Sequence, residues 1–296
     1  VPAAHRPQCR VRAEAVIKPG LAFPLPPAVW RLAAAALVVM NGFFPAVWIL
    51  FTSLKRETEL VSKPITWWPH APTLHNYVQA FTDQPLLRYL GNSAMVALLS
   101  TACSLVVAAG AAYAIARLNL ARRQLILTVI VAGSMFPLVT LLVPIYETMR
   151  SFGLLNTYTA LVLPYVVLNL PVCTLVLVSF FQSIPRDLEN AAMIDGCTRL
   201  GALWHVVVPL AAPGVFTAGI LAFVNAWDEF LLALSLNAGA QMRTVPVGIA
   251  LYQGEFSFPW PIISAALIVA IVPIAVLIAV FQERVVGGLT QGGLKG

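Results

Sequence analysis

Six apolar stretches, each long enough to cross a bilayer, partition this chain: about 30–54, 90–116, 125–147, 159–181, 213–236 and 261–282. A hydrocarbon core about 30 Å thick needs roughly 20 such residues per helix. At that depth every backbone N–H and C=O must find its partner inside the protein. Composition agrees, since 59% of the residues are hydrophobic and 10% are charged, with a mean hydropathy of +0.85. A water-soluble domain carries about a quarter charged residues. The expected fold is all-α, a polytopic bundle of six transmembrane helices over residues 30–283. A disordered tail is expected at 1–29 and a second tail at 284–296.

Basic residues set the expected orientation. With the N-terminus inside, the inner segments hold Arg6, Arg10, Arg12, Lys18, Arg31, Arg117, Arg122, Arg123, Arg186, Arg199, Arg284 and Lys295, twelve of the 18 Lys and Arg. The outer loops hold Lys55, Arg56, Lys63, Arg88, Arg150 and Arg243. The compact loop "RLNLARRQ" is the strongest local signal. Both termini and residues 184–214 are therefore expected in the cytoplasm. The net charge of +6 is mostly this inside bias and requires no nucleic acid.

Four cysteines form no framework: Cys103 and Cys173 fall in spans, Cys9 and Cys197 on the inner side, with no zinc or redox spacing. The first 28 residues, rich in Pro, Ala and Arg, lack a separate apolar core of the signal-peptide kind. The first apolar run is read as a retained span, and the opening Val with such a tail is consistent with a misplaced start.

Within the spans, Ala108, Ala112 and Ala116 recur every four residues, which lets another helix approach closely. Pro45, Pro137, Pro144, Pro164, Pro171 and Pro273 interrupt four spans, each removing a donor and bending its helix. Trp67 and Trp68, in the longest outer loop, suit the headgroup level, and a soluble partner would also fit them. Span five holds the most informative polar group, "FVNAWDEFLLAL". A carboxylate at mid-bilayer costs about 2.5–3.5 kcal/mol on insertion scales. Asp228 and Glu229 point about 100° apart on a helix. One is expected to bond within the bundle and the other to reach a path or the outer interface; capping of neighbouring helices is an equal alternative. Asn169 and Asn225 are candidates to face a polar path, because an amide exposed to lipid is costly.

One segment is too polar to cross and too patterned for slack loop: "IPRDLENAAMIDGCTRLGALWHVVVPLAAPG". Pro185 opens a helix whose first turn carries Asp187 and Glu189, complementing the dipole. Leu188, Ala191 and Ala192 make a short apolar stripe, with Arg186, Asp187, Glu189 and Asn190 on the other faces. Gly196 allows a turn. Leu200, Leu203, Trp204 and Val207 then repeat as a second amphipathic helix, stopped by Pro209 and Pro213. An Ala-rich stripe buries little area in lipid but admits a protein groove, so a docking element fits better than an interfacial helix resting on the membrane.

"LENAAMIDGCTRLGALWHVVVPLAAPG" resembles the EAA loop of ABC importer permeases, on Ala191, Ala192, Asp195, Gly196 and Pro209. It departs at Asn190, where the family has Glu and where Glu189 stands just before, and at Cys197, where the family has Ala. "FTSLK", "LHNY", "GLLNTYTALVLPY", "AWDEFLLAL" and the ending "GGLTQGGLKG" are similar to carbohydrate-uptake permeases, the ending to the maltose-type second subunit. Asp228 stands where that family usually places Asn. The resemblance implies a MetI-like bundle in a bacterial inner (plasma) membrane, forming half of a sugar pathway. It further implies a second permease subunit, two cytoplasmic ABC ATPase subunits, and an extracytoplasmic sugar-binding protein. Glu189, Asn190, Ala191, Ala192, Asp195, Gly196, Leu200 and Trp204 would dock on the ATPases as a coupling helix. No cofactor is implied on this chain, ATP and Mg being held by those partners.

Other classes fit less well. "GGLTQGGLKG" lacks the spacing of a phosphate loop. An intramembrane enzyme needs a nucleophile with a base, or metal ligands. His5, His70, His75 and His205 all fall outside the spans and form no metal motif. The alternative kept open is a secondary transporter driven by an ion gradient, with Asp228 and Glu229 as ion ligands.

Overall fold

The computed structural model describes residues 27–118, 120–254 and 257–293. The tail with His5 and Cys9 lies outside them, as do the last three residues of "GGLTQGGLKG". Regular structure among the described residues is helical throughout. The chain divides into two compact units at Trp48. α1 (Pro27–Leu54) contains Pro45 and stacks the rings of Phe44 and Trp48 at 6.3 Å.

The second unit opens with the last turn of α1, then α2 (Glu57–Leu60) and α3 (His75–Asp83). The buried amide of Asn76 donates to the carbonyls of Ser53 at 2.8 Å and Lys55 at 2.9 Å. It thereby satisfies acceptors that a helix end leaves open. α4 (Leu86–Arg117) is followed by α5 (Arg123–Ser134), α6 (Leu138–Ser151) and α7 (Tyr158–Ser183). The polar segment holds α8 (Arg186–Ile194), α9 (Arg199–Ala202), a π-helical stretch at Leu203–Val207, and α10 (Val208–Leu210). α11 (Ala212–Asp228), α12 (Leu231–Leu236), α13 (Val245–Ala250) and α14 (Trp260–Gly293) complete the chain.

α4 and α7 form the central pair, α11 packs on both, and α14 lies against α11 and α3. Small residues make the seam tight. Ala108, Ala112 and Ala116 of α4 are buried against Cys173, Leu177 and Phe181 of α7 and Ala218 and Ala222 of α11. At Gly214 a Cβ would fall 2.3 Å from Cγ of Phe180, so this approach of α11 to α7 needs glycine. A second core collects Val96, Ala97, Leu161, Tyr165, Phe223 and Trp227 from the same three helices.

Two expected spans are not single helices. The stretch 125–147 breaks into α5 and α6 at an angle of 88°. Pro137 sits at the corner with extended backbone, φ −66° and ψ 128°. It has no N–H to continue the ladder, and its ring pushes the preceding residue out of the helical region. A bend was the expectation; the structure has a corner. The stretch 213–236 also ends early: α11 stops at Asp228, Glu229 is extended (φ −69°, ψ 126°), and α12 starts anew. Pro209 does not stop the second amphipathic helix either. It lies inside α10, and an 83° break follows between Leu210 and Ala212. Among the described residues four helices are alone long and apolar enough to cross a membrane, and up to six spans result if each bent pair counts as one. α14 stays helical to Gly293, through most of the segment set apart as 284–296.

Candidate functional site

The polar segment folds as two short helices around Gly196. Pro185 precedes the first turn of α8 with ψ 133°. At its end Gly196 takes φ +94°, while its N–H reaches Met193 O at 3.2 Å and the Cys197 N–H reaches Ala192 O at 2.9 Å. This is a left-handed helix cap of the Schellman type, which glycine adopts without a Cβ penalty. Thr198 then caps α9, its Oγ1 accepting the Gly201 N–H at 3.1 Å. That cap was not anticipated, although a Thr two residues after the turn glycine was its signal.

The faces of α8 differ from the sequence expectation. Leu188 and Ala191 are exposed and Ala192 is half-buried, while Glu189 is the helix's only buried residue. Its carboxylate turns inward, away from the exposed face assigned to it, because two polar groups of α4 wait there. Tyr113 Oη donates to Glu189 Oε1. Arg117 Nε lies 3.3 Å from Oε2 as an ion pair without hydrogen-bond alignment. Arg117 also donates from Nη2 to the carbonyl of Ile184 at 3.0 Å. Such a pair is stable in a poorly solvated site only when both partners are present. Tyr113 and Arg117 were missed; their signal was two polar groups one turn apart in the last turns of α4.

The second stripe divides. Leu203 and Val207 are buried in the main core, whereas Leu200 is 67% and Trp204 43% exposed. Asn190, Asp195 and Gly196 are exposed as well. With Leu188 and Ile194, the latter 86% exposed, these residues present an apolar-centred outward surface on a segment too short to span. His205 is bonded to Gly201 O at 2.9 Å.

The polar residues of span five and its neighbour also meet. Asn169, buried in α7, donates to Ala222 O at 3.4 Å, and Asn225 Nδ2 donates to Asn169 Oδ1 at 3.3 Å. Asn225 and Asp228 lie on the exposed side of α11. Glu229 instead accepts from Tyr165 Oη at 2.6 Å and from the N–H groups of Leu232 at 2.8 Å and Ala233 at 3.0 Å. Those bonds cap the start of α12 and occupy three of the roughly four acceptor sites of its carboxylate. Among the described residues, no three His, Cys, Asp or Glu side chains gather as a metal site.

Residues 94–290 match the family described as binding-protein-dependent transport system inner membrane component. The chain belongs to this family. It is 72% identical over 266 residues, covering 90% of the chain and 93% of the relative, to the sulfoquinovosyl glycerol transport system permease protein SmoH of Agrobacterium fabrum. It is 37% identical over 265 residues, covering 88% and 95%, to the trehalose/maltose transport system permease protein MalG of Thermococcus litoralis. A bacterial ABC transporter for alginate import shares the fold, with a TM-score of 0.74 at 18% identity over 86% of this chain and 95% of that one. The protein is thus a permease subunit of a sugar ABC importer, a multi-pass, non-catalytic membrane component with a MetI-like fold. An ion-gradient transporter finds no support among these relatives.

Proposed function

We propose that this permease carries a sulfonated sugar glycoside inward, with sulfoquinovosyl glycerol as the reference compound. The observation that carries the substrate is the 72% identity to a permease named for that compound, against 37% to one named for trehalose and maltose. The cargo is anionic and polyhydroxylated, so its path must exclude lipid and offer hydrogen bonds. Asn225 and Asp228 supply such groups on the exposed side of α11, and Asn169 of α7 holds Asn225 in place through its Oδ1. This chain forms half of the pathway, a second permease subunit the other half, and an external binding protein delivers the sugar.

The segment at 184–214 acts on the cytoplasmic side, where both termini also lie, as the basic residues of the inner loops indicate. Two ATPase subunits hold ATP and Mg; one receives the segment's outward face, Leu188, Asn190, Ile194, Leu200 and Trp204, and the other receives the corresponding segment of the second permease subunit. ATP binding draws the docked segments together and tilts the spans; hydrolysis resets them, an alternating access by rigid-body motion. Proteoliposomes holding the whole transporter test the reading. Uptake of sulfoquinovosyl glycerol is expected to need ATP and the binding protein and to persist with ionophores. Uptake of maltose or trehalose with none of the sulfonated glycoside overturns the substrate. Collapse of uptake with ionophores overturns the energy source.

A further inference from the structure

The chain ties α8 to its neighbours only through non-helical backbone. Ile184 and Pro185 are extended, with ψ 131° and 133°. On the other side stand the left-handed Gly196 and the extended Thr198, φ −70° and ψ 164°. Both joints are pivots, since a few such residues absorb changes in helix direction. A push on α8 through these links alone would rotate the helix in place. α8 also packs on α9 and the π-helical stretch that follow it in the chain, but its polar tie to α4 is a side chain: Glu189, the one buried residue of α8, gripped by Tyr113 and Arg117.

Arg117 holds a second element at the same time, through the carbonyl of Ile184 that ends α7. The contact therefore closes a triangle among α4, α7 and α8. α4 is the helix that packs longest against α7 and also meets α11, so a displacement entering at Arg117 reaches the whole central seam. Close-packed seams shift between discrete arrangements rather than deforming smoothly.

We infer that Glu189 is a positioning residue whose grip by Tyr113 and Arg117 makes α4 the lever through which movement of α8 reaches the spans. The inference rests on the reading of α8 as the ATPase-docking element. Glu189 faces the bundle, so its part in coupling is internal and separable from the docking surface itself.

The test uses the complete transporter in liposomes, with Glu189→Gln, Glu189→Ala, Tyr113→Phe and the exchange Arg117→Glu with Glu189→Arg. Docking is read separately, by crosslinking Ile194→Cys to an ATPase subunit. With docking intact, Glu189→Ala is expected to lower uptake at least tenfold while ATP hydrolysis falls less than threefold. ATP used per sugar then rises, Glu189→Gln and Tyr113→Phe lie between, and the exchange restores part of the ratio. An unchanged ATP-to-sugar ratio in both Glu189→Gln and Tyr113→Phe overturns the inference, even if Glu189→Ala does not assemble. So does an uptake loss that merely follows loss of the Ile194 crosslink. Absence of that crosslink in the otherwise unaltered protein instead refutes the docking reading on which the inference rests.

Discussion

The phenolic oxygen of Tyr165 lies 2.6 Å from Glu229 Oε2, tying the first third of α7 to the interruption that ends α11. With the Leu232 and Ala233 N–H groups, it surrounds the carboxylate with three donors. A hydrogen bond to a charged group contributes about 1.5–3 kcal/mol. Tyr165→Phe is expected to lose about that much stability, and Glu229→Ala more, because two backbone donors are orphaned as well. Thermal unfolding of the purified subunit complex in detergent measures both; equal melting temperatures for Glu229→Ala and the parent protein refute the assignment.

Gly196 is a conformational requirement, since a Cβ there would meet nothing within 4 Å while φ is +94°. Gly196→Ala is expected to cost about 1–2 kcal/mol, the left-handed penalty of an L-residue. Gly196→Pro is expected to do more, removing the N–H that bonds Met193 O and forcing φ to about −65°. The spans should still insert while ATPase co-purification falls. Normal co-purification with full uptake in Gly196→Pro speaks against the turn's role.

Gly214 tests packing by the opposite route. Its Cβ would strike the Phe180 ring at 2.3 Å, and overpacking of this kind costs about 1–3 kcal/mol. Gly214→Ala should lower the melting temperature, and Phe180→Ala in the same protein, which removes the Cγ and Cδ2 that the new Cβ strikes, should recover part of the loss. Additive effects of the two changes, measured as a double-mutant cycle, would show that the contact is unimportant.

Asn225 tests the proposed path. In the assembled transporter Asn225→Cys is expected to react with a membrane-impermeant thiol reagent, and bound substrate should slow that reaction. Asn225→Leu should reduce uptake more than tenfold while leaving assembly intact. Reaction only with a lipid-soluble reagent places the residue against acyl chains and removes it from the path.

Much of this architecture is legible in the sequence because it depends on local spacing. The alanines of α4 announce a close helix contact, and Gly196 between two amphipathic runs announces the turn. The inward face of α8 is not legible, since Glu189 meets a tyrosine 76 residues away. Neither periodicity nor composition records such a pairing. Leu200 and Trp204 share a helical stripe with Leu203 and Val207, yet a stripe wide enough to wrap a short helix serves two surfaces at once. Where α11 ends was hidden for a different reason. Hydropathy continues through "FLLAL", and only the capping bonds of Glu229 reveal that the backbone has changed direction.

The corner at Pro137 has a consequence for biogenesis. An 88° turn between α5 and α6 leaves Met135 79% and Phe136 62% exposed, beside peptide groups that no continuing helix can bond. Fluid hydrocarbon offers such groups nothing. An orphan copy synthesised ahead of its companion would therefore hold an unfinished surface within the bilayer. A companion chain seated on this corner would give that surface the cover that lipid cannot.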